Sequence, residues 1–420
     1  MPGFGLGVGL PLGGGGGLPF GDASFGADFA LGQYQLGGAR YATAPTLPGW
    51  TFSRSGAGTA LDSAGNVISF ATGVPRITDR GLLVEEARTN LLVRSQEFDN
   101  AAWAKLNSTV TANAAVAPDG TTTADALIED TATGFHTVLP TAFPTVSSGA
   151  AYSLSIYAKA NGRTLLLLRD NGTSNTGATF SLSGAGTVTN TEAGVTAASI
   201  SALANGWYRC VVTYTSAATS ANIQPRLVST GTTASYTGDG VSGVYLWGAQ
   251  LEAGAFPTSY IPTAGASATR GADAALVSGM SIANLHTIYG EVEHVAPSGA
   301  AQRYAVSDNG TASERTFLGR STGGLVQGFV TAGGSTTTSS AVSGAVTGTV
   351  KGAVSVGASS FICSRSGLIA SAVSSSPPTG ETRLGIGNNT DGGFPLNGYV
   401  RKIIIYPYAM TDAQLQAATA

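Results

Sequence analysis

Apolar and polar residues alternate in short runs along most of the chain, with glycine- and asparagine-rich turns between them. Tyr152, Leu154, Ile156 and Ala158 alternate with Ser153, Ser155, Tyr157 and Lys159, and Tyr208, Cys210, Val212 and Tyr214 alternate with Arg209, Val211 and Thr213. A period of two puts one set on each face of a strand, so each run predicts a half-buried β-strand. The continuous apolar run 165–168, between Arg163 and Arg169, predicts a central strand, and Phe180, Ile200 and Leu227 mark others. Strands recurring every ~8–12 residues predict an antiparallel sandwich over 98–263. Its last strand, 244–252, follows the turn Gly238-Asp239-Gly240, and Tyr245, Trp247 and Leu251 are expected on one face of it.

The rest of the chain divides around that sandwich. Residues 1–45 are glycine-rich, with Gly alternating with Phe4, Leu6, Val8 and Leu10 and then five consecutive glycines at 13–17. Such a segment either stays a flexible tail, unable to offset its ordering entropy, or docks on a neighbouring chain through its apolar residues. We read it as a docking arm. Residues 46–97 form leader strands packing on the sandwich: Trp50-Thr-Phe-Ser-Arg54, Asn66-Val-Ile-Ser-Phe70 and Val74-Pro-Arg-Ile77 are too short to stand alone. A small, polar linker follows at 264–274, and short strands restart over 275–420, ending in a helix for which Thr411 and Gln414 form a capping box.

Composition narrows the class. Only 11% of the 420 residues are charged, against roughly 25% in ordinary globular chains, and 59 are glycine. The formal net charge is −3 and no stretch concentrates Lys or Arg, so no electrostatic footprint for nucleic acid is present. Glycine interrupts the apolar N-terminus and no basic residue precedes it, unlike a secretory signal. No apolar run is long enough to insert in a membrane. Cys210 and Cys363 stand 153 positions apart and read as small strand hydrophobes.

Several motifs recur in a familiar order. Phe52-Ser-Arg-Ser-Gly56, Val74-Pro-Arg76, Gly81-Leu-Leu-Val-Glu-Glu-Ala-Arg-Thr-Asn90, Ala114-Ala-Val-Ala-Pro-Asp-Gly-Thr-Thr-Thr-Ala-Asp125, Asn205-Gly-Trp-Tyr-Arg209 and Gly248-Ala-Gln-Leu-Glu252 together resemble a module of tailed-bacteriophage fibre and spike proteins that is similar to carbohydrate-binding jelly rolls. The end of the chain, from Thr382-Arg-Leu-Gly-Ile-Gly387 through Gly398-Tyr-Val400 to the final helix, resembles the close of a laminin-G or concanavalin-type lectin sandwich. The Trp-His pair usual in that family is replaced by Thr349-Val-Lys-Gly-Ala353. These resemblances imply an all-β chain of two antiparallel β-sandwiches, a jelly roll and then a concanavalin-like lectin fold. They also imply a non-enzymatic virion protein of head or tail, a homotrimer that binds host-surface glycan and meets other virion proteins through its arm. A capsule-degrading spike and a secreted lectin are the alternatives.

Candidate chemistry is sparse. His136, His286 and His294 lack companions at metal or triad spacing and read as structural. Glu291 and Glu293 share one face of a strand at about 7 Å, a spacing an inverting glycosidase could use, though a solvated strand face explains them as well. Glu85, Glu86 and Arg88 read as an ion-paired brace between leader and jelly roll. Asp239, Asn388, Asn389 and Asp391 suit turns, with calcium at Asp239 or Asp391 as the sharper alternative. Glycan binding needs an aromatic platform beside amides or carboxylates. Trp207, Tyr245 and Trp247 form one candidate, with Trp247 read mainly as core, and Asn388, Asn389, Asp391, Phe394, Tyr406 and Tyr408 form the other.

Overall fold

The computed structural model describes residues 20–173, 176–295, 299–339, 342 and 348–420. The docking-arm candidates Phe4, Leu6, Val8 and Leu10 lie outside the described residues. The fold is all-β, every paired strand is antiparallel, and the chain separates into two compact units. One comprises residues to Ser55, Gly73–Glu86 and Gly271–Ala420; the other comprises Gly56–Thr72 and Ala87–Arg270.

The second unit is a jelly-roll sandwich of two six-stranded sheets. The first sheet runs Ser108–Ala115, Ala124–Glu129, Gly243–Ala253, Ala151–Asn161, Tyr208–Thr215, Val195–Ala202; the second runs Trp103–Leu106, Thr137–Pro140, Ile223–Val228, Leu165–Asp170, Gly177–Ser181, Thr187–Thr191. Leu154, Ile156, Leu166, Leu168, Phe180, Val212 and Leu246 fill the space between them, as the alternation predicts. Strand Gly243–Ala253 departs from simple alternation. Val244 and Leu246 face the sandwich core before Gly248, Ala249 and Leu251 face it afterwards, and Trp247 lies on the opposite face. The register against Ala151–Asn161 shifts between Ser155 and Tyr157, and Gly248 sits at φ +62°. A Cβ at Gly248 would lie 2.8 Å from Tyr157 Cδ2, so the bulge needs glycine. It moves Trp247 and Leu251, expected on one face, to opposite faces.

The first unit is a second sandwich, of an eleven-stranded and a seven-stranded sheet. In the larger one Gly398–Tyr406 lies between Phe25–Asp28 and His286–His294. Its bulge at Glu291/Val292 lets Val400, Ile403 and Ile405 all reach the core with Ile288, Val292 and Val354. Ile404 and Tyr406 point the other way, under the helix Asp412–Thr419, whose capping box between Thr411 and Gln414 is formed. Cys210 and Cys363 are buried and unpaired by disulfide, and burial pushes both thiols up, that of Cys363 to about 12.

Three segment assignments change. Residues 20–45, expected in the arm, include strands Phe25–Asp28, Gln33–Leu36 and Ala39–Tyr41, with Phe25, Phe29 and Tyr34 buried in the first unit's core. The leader 46–97 is not one body on the jelly roll. Trp50–Ser53 pairs with Ala274–Ser278 and Gly81–Val84 with Gly398–Tyr406, whereas the hairpin Gly58–Leu61/Val67–Phe70 belongs to the jelly-roll unit. The linker 264–274 contains strand Ala268–Arg270, paired with Arg88–Asn90, and the buried Asp273. Small, polar composition marked these stretches as loops, but edge strands and buried ion pairs use the same residues.

Asp273 organises the first unit. Its carboxylate lies 3.4 Å from Arg54 Nη1, contacts Arg76 Nη2, and accepts the Glu85 backbone N–H at 2.9 Å. Arg76 Nη1 also meets Glu85 Oε2 at 2.7 Å, and all four residues are buried. The expected brace is thus divided, since Glu85 pairs here while Glu86 accepts from Asn397 Nδ2 at 3.1 Å, and Arg88 lies 3.8 Å from Glu252 in the other unit.

Removing one partner from a buried ion network leaves its neighbours charged and dry, at a cost of about 3–5 kcal/mol. Asp273→Ala is therefore expected to lower the unfolding free energy of the first unit by about that amount. Denaturant titration measures it, and a loss below about 1 kcal/mol would show that Arg54 and Arg76 find water or other partners.

Candidate functional site

Most of the sequence-derived site residues are structural. Trp207 and Trp247 are 1% exposed and pack with Tyr157, Tyr260 and Val67, with Tyr245 half-buried at the edge. Trp247 Nε1 donates to Thr123 Oγ1 at 3.1 Å and Trp207 Nε1 to the Val116 carbonyl at 3.0 Å. Neither ring offers a face to a sugar. Asn388 is buried and donates to the Asp273 carbonyl at 3.1 Å. Asn389 and Asp391 build the following turn, where Asp391 accepts the Gly393 N–H at 2.9 Å. Tyr406 is buried under the terminal helix beside Tyr408, whose hydroxyl meets Asp22 at 3.4 Å. Phe394 alone of this set is an exposed ring, 49% accessible.

The charged candidates are likewise committed. Glu291 pairs with Arg401 at 3.2 Å and Glu293 with Arg80. Asp239 accepts the N–H groups of Val241 and Ser242 at 2.8 and 2.7 Å, and these bonds, those of Ser242 foremost, hold its carboxyl well below the usual range. Among the described residues no group of three or more His, Cys, Asp or Glu comes together in a way that could hold a metal ion. His136 sits between the carbonyls of Asn107 and Tyr236, His286 bonds the Ala283 carbonyl, and His294 Nε2 meets the Tyr304 hydroxyl at 2.9 Å.

A polar layer lies instead on the face of the second jelly-roll sheet turned away from the sandwich core, with Thr137, Thr179, Gln224 and Arg226 buried and Arg169 and Glu192 partly exposed. The register aligns Thr137, Arg226, Leu167, Thr179 and Asn190 in one row across five strands, and Gln224, Arg169 and Gly177 in the next. The intervening residues Ile223, Leu227, Leu166, Leu168, Ala178 and Phe180 fill the core, so alternation turns these rows outward. Gln224 Oε1 accepts from Arg226 Nε at 2.8 Å, Asn171 Oδ1 accepts from Arg226 Nη2 at 3.1 Å, and the guanidinium lies 4.1 Å from the centroid of the half-open Phe135 ring. Among the described residues Arg226 thus has amide partners and makes no ion pair. Burial, then the neighbouring Arg169, bring its pKa down to about 10. Arg169 Nη1 meets Glu192 Oε1 at 3.0 Å, while Arg169 Nε and Glu192 Oε2 lack a protein hydrogen-bond partner. At Gly177 a Cβ would stand 2.6 Å from Arg169 Cβ and 3.1 Å from Glu192 Oε2, so the missing side chain makes room for this pair.

Donors and acceptors therefore alternate over a short distance beside an aromatic edge, an arrangement suited to the paired hydroxyls of a sugar ring. Leu227 marked a strand here, and the alternation of Gln224 and Arg226 with Ile223 and Leu227 is the pattern that could have shown a polar row on its other face. The contribution of Phe135, Asn171 and Glu192 came only with the loops in place.

No protein-family model matches the sequence, and no curated protein matches it. Among solved structures the chain is similar to the Ruminococcus gnavus IT-sialidase CBM40 bound to alpha2,3 sialyllactose, with 18% identity and a TM-score of 0.29 over 33% of this chain and 84% of that one. It is similar to the leech intramolecular trans-sialidase, with 16% identity and a TM-score of 0.28 over 33% of this chain and 23% of that one. It is also similar to domains LG4-5 of the mouse laminin alpha1 chain, with 10% identity and a TM-score of 0.24 over 66% and 89% of the two chains.

His294 provides a check on the buried histidines. Desolvation, then Arg320, lower its pKa from 6.5 to about 4. The unfolded chain takes up this proton first, so stability present above pH ~6.5 is lost as pH falls towards ~4. In His294→Gln the acid limb of melting temperature against pH should be flatter over that window. Superimposable curves would place the titration elsewhere.

Proposed function

We propose that this chain is a non-enzymatic glycan-binding protein whose jelly-roll unit takes a sugar on the outward face of its second sheet. The observation that carries the reading is the Arg169–Glu192 pair, with a donor and an acceptor left over, beside Arg226, Gln224 and Asn171. The Arg169 and Glu192 side chains keep 16% and 20% of their surface exposed, and vicinal hydroxyls can bond at that rim, with Nε and Oε2 themselves buried behind it, while a pyranose face rests near Phe135. The half-buried depth of the pair strengthens each bond relative to open water. No step of bond cleavage is needed, and the two strand-face glutamates that might have supplied one are held by arginines.

The motif resemblance supports a finer reading: a bacteriophage fibre or spike subunit, on head or tail, that attaches the particle to host-surface glycan as a homotrimer. The low surface charge and glycine-rich composition fit subunits packed side by side. A free secreted lectin is the competing assignment, separable by mass in solution.

Losing a hydrogen bond to a charged group costs about 1.5–3 kcal/mol, or about 10–100-fold in affinity. On a glycan array, Glu192→Gln should lose its strongest ligands by that factor while its melting temperature stays near that of the native chain; unchanged array binding would overturn the assignment of this face. Light scattering of the native chain should give about three times its 41.9 kDa mass, and a monomer would favour the secreted-lectin reading. Incubation with the array's best glycan should release no reducing ends, and release would point to an enzyme.

A further inference from the structure

We propose that the seven-stranded sheet of the other unit carries a separate site for an acidic sugar, with Arg303 as the residue that takes its carboxylate or sulfate group. The site does not rest on the glycan reading of the jelly roll. Strand Gln302–Asp308 lies beside Arg315–Arg320, and that beside Val326–Ala332, with Arg303 opposite Gly319 and Phe317 opposite Phe329. Tyr304, Leu318 and Val330 turn into the core, which leaves Arg303, Phe317 and Phe329 on the outward face.

The guanidinium of Arg303 is packed against rings alone. Its Cζ lies 4.3 Å from the centroid of Phe317, 4.6 Å from Phe394 and 5.8 Å from Phe329, while Phe317 and Phe329 stack at 4.0 Å. Among the described residues it makes no ion pair and donates no side-chain hydrogen bond, and Nε is buried without a partner. Asp308, on the same strand, is already held by Arg383 at 2.7 Å and by Thr390. Arg315, opposite Asp308, adds a second positive charge; burial first and Arg315 second bring Arg303 down to about 10, which leaves it charged at neutral pH.

A half-buried cation whose Nε is shut off from water and from any hydrogen-bond partner, with aromatic faces around it, is incompletely compensated, since ring contacts return less than the hydration removed. The chain also accepts backbone strain to complete the arrangement. Phe394 holds φ +54°, a region L side chains rarely adopt, and its carbonyl accepts the Arg303 N–H at 3.1 Å while its ring stays open to solvent. Strain and an unpaired charge at one spot mark a site completed by a ligand. An oxyanion supplies the missing partner, and a guanidinium binds it with paired hydrogen bonds. Thr336 and Thr338, the latter opposite Phe329, give exposed uncharged hydroxyls on the edge strand Ser335–Thr338, which favours a hydroxyl-rich sugar over an acidic peptide as the body carrying that anion.

The test uses the full chain and ligand-observed NMR at low salt. Trigalacturonic acid against its methyl ester probes the carboxylate, galactose 6-sulfate against galactose probes sulfate, and a triglutamate peptide probes the peptide alternative. The native chain should prefer one acid form over its neutral counterpart by about tenfold or more. Arg303→Gln should erase that preference, and Arg303→Lys should keep part of it. Should Arg303→Gln fail to fold, Phe394→Ala, which removes an exposed ring, should weaken acid binding by about threefold or more. Equal binding of acid and neutral forms, a preference that survives Arg303→Gln, or triglutamate binding as tightly as the acidic sugars would each overturn the proposal.

Discussion

Everything in the first unit depends on Asp273 being shared by two buried arginines. The network's members stand beside the places where the chain enters or leaves that unit: Arg54 precedes the break at Ser55, Arg76 follows the one at Gly73, Glu85 precedes Glu86, and Asp273 follows Gly271. Backbone bonds reinforce the knot, from Gly73 N–H to the Arg54 carbonyl at 3.0 Å, Gly271 to Ser55 at 2.7 Å and Asp273 to Glu85 at 3.0 Å. A sandwich built from three separated segments must hold their ends in register. Hydrophobic burial is non-directional and cannot do this alone, whereas charges in a dry interior accept few arrangements.

The same network explains which parts of the fold could be read in advance. Alternation located the strands of both sandwiches, and the motifs around Arg54, Arg76, Glu85 and Asn90 stood out as a series. Their partners did not show, because a period of two records which face is apolar and carries no information about the strand alongside. Thus Trp50–Ser53 and the hairpin Gly58–Leu61/Val67–Phe70 looked alike and belong to different units. Gly248 hid a second feature, since one bulge residue reverses the facing of everything after it and turns a presumed single stripe into two.

Site residues were harder to read for a related reason. Tryptophans drew attention as sugar platforms, but a large ring with one N–H is equally suited to a buried position with a hydroxyl or carbonyl in reach, and Trp207 and Trp247 each have one. Arg226 and Arg303 carried no motif that set them apart in the sequence. What distinguishes Arg226 and Arg303 is that neither makes an ion pair among the described residues, a relation between strands far apart in sequence. Phe394 was singled out for being an aromatic in a turn, and its value emerged only when the turn placed it against Arg303.

The pairing of Phe25 with Ile405 sets an order of events during synthesis. Every residue of the jelly-roll unit leaves the ribosome before Gly271, so that unit can close while translation continues. The hairpin Phe25–Asp28/Gln33–Leu36 must wait for the strand Gly398–Tyr406, which is made after the whole jelly-roll unit. At about 5–20 residues per second the wait lasts roughly tens of seconds. Throughout it, one strand edge and the side chains of Phe25, Phe29 and Tyr34 are without their final cover. These strands are thus a long-lived invitation to mispairing with a neighbouring nascent copy.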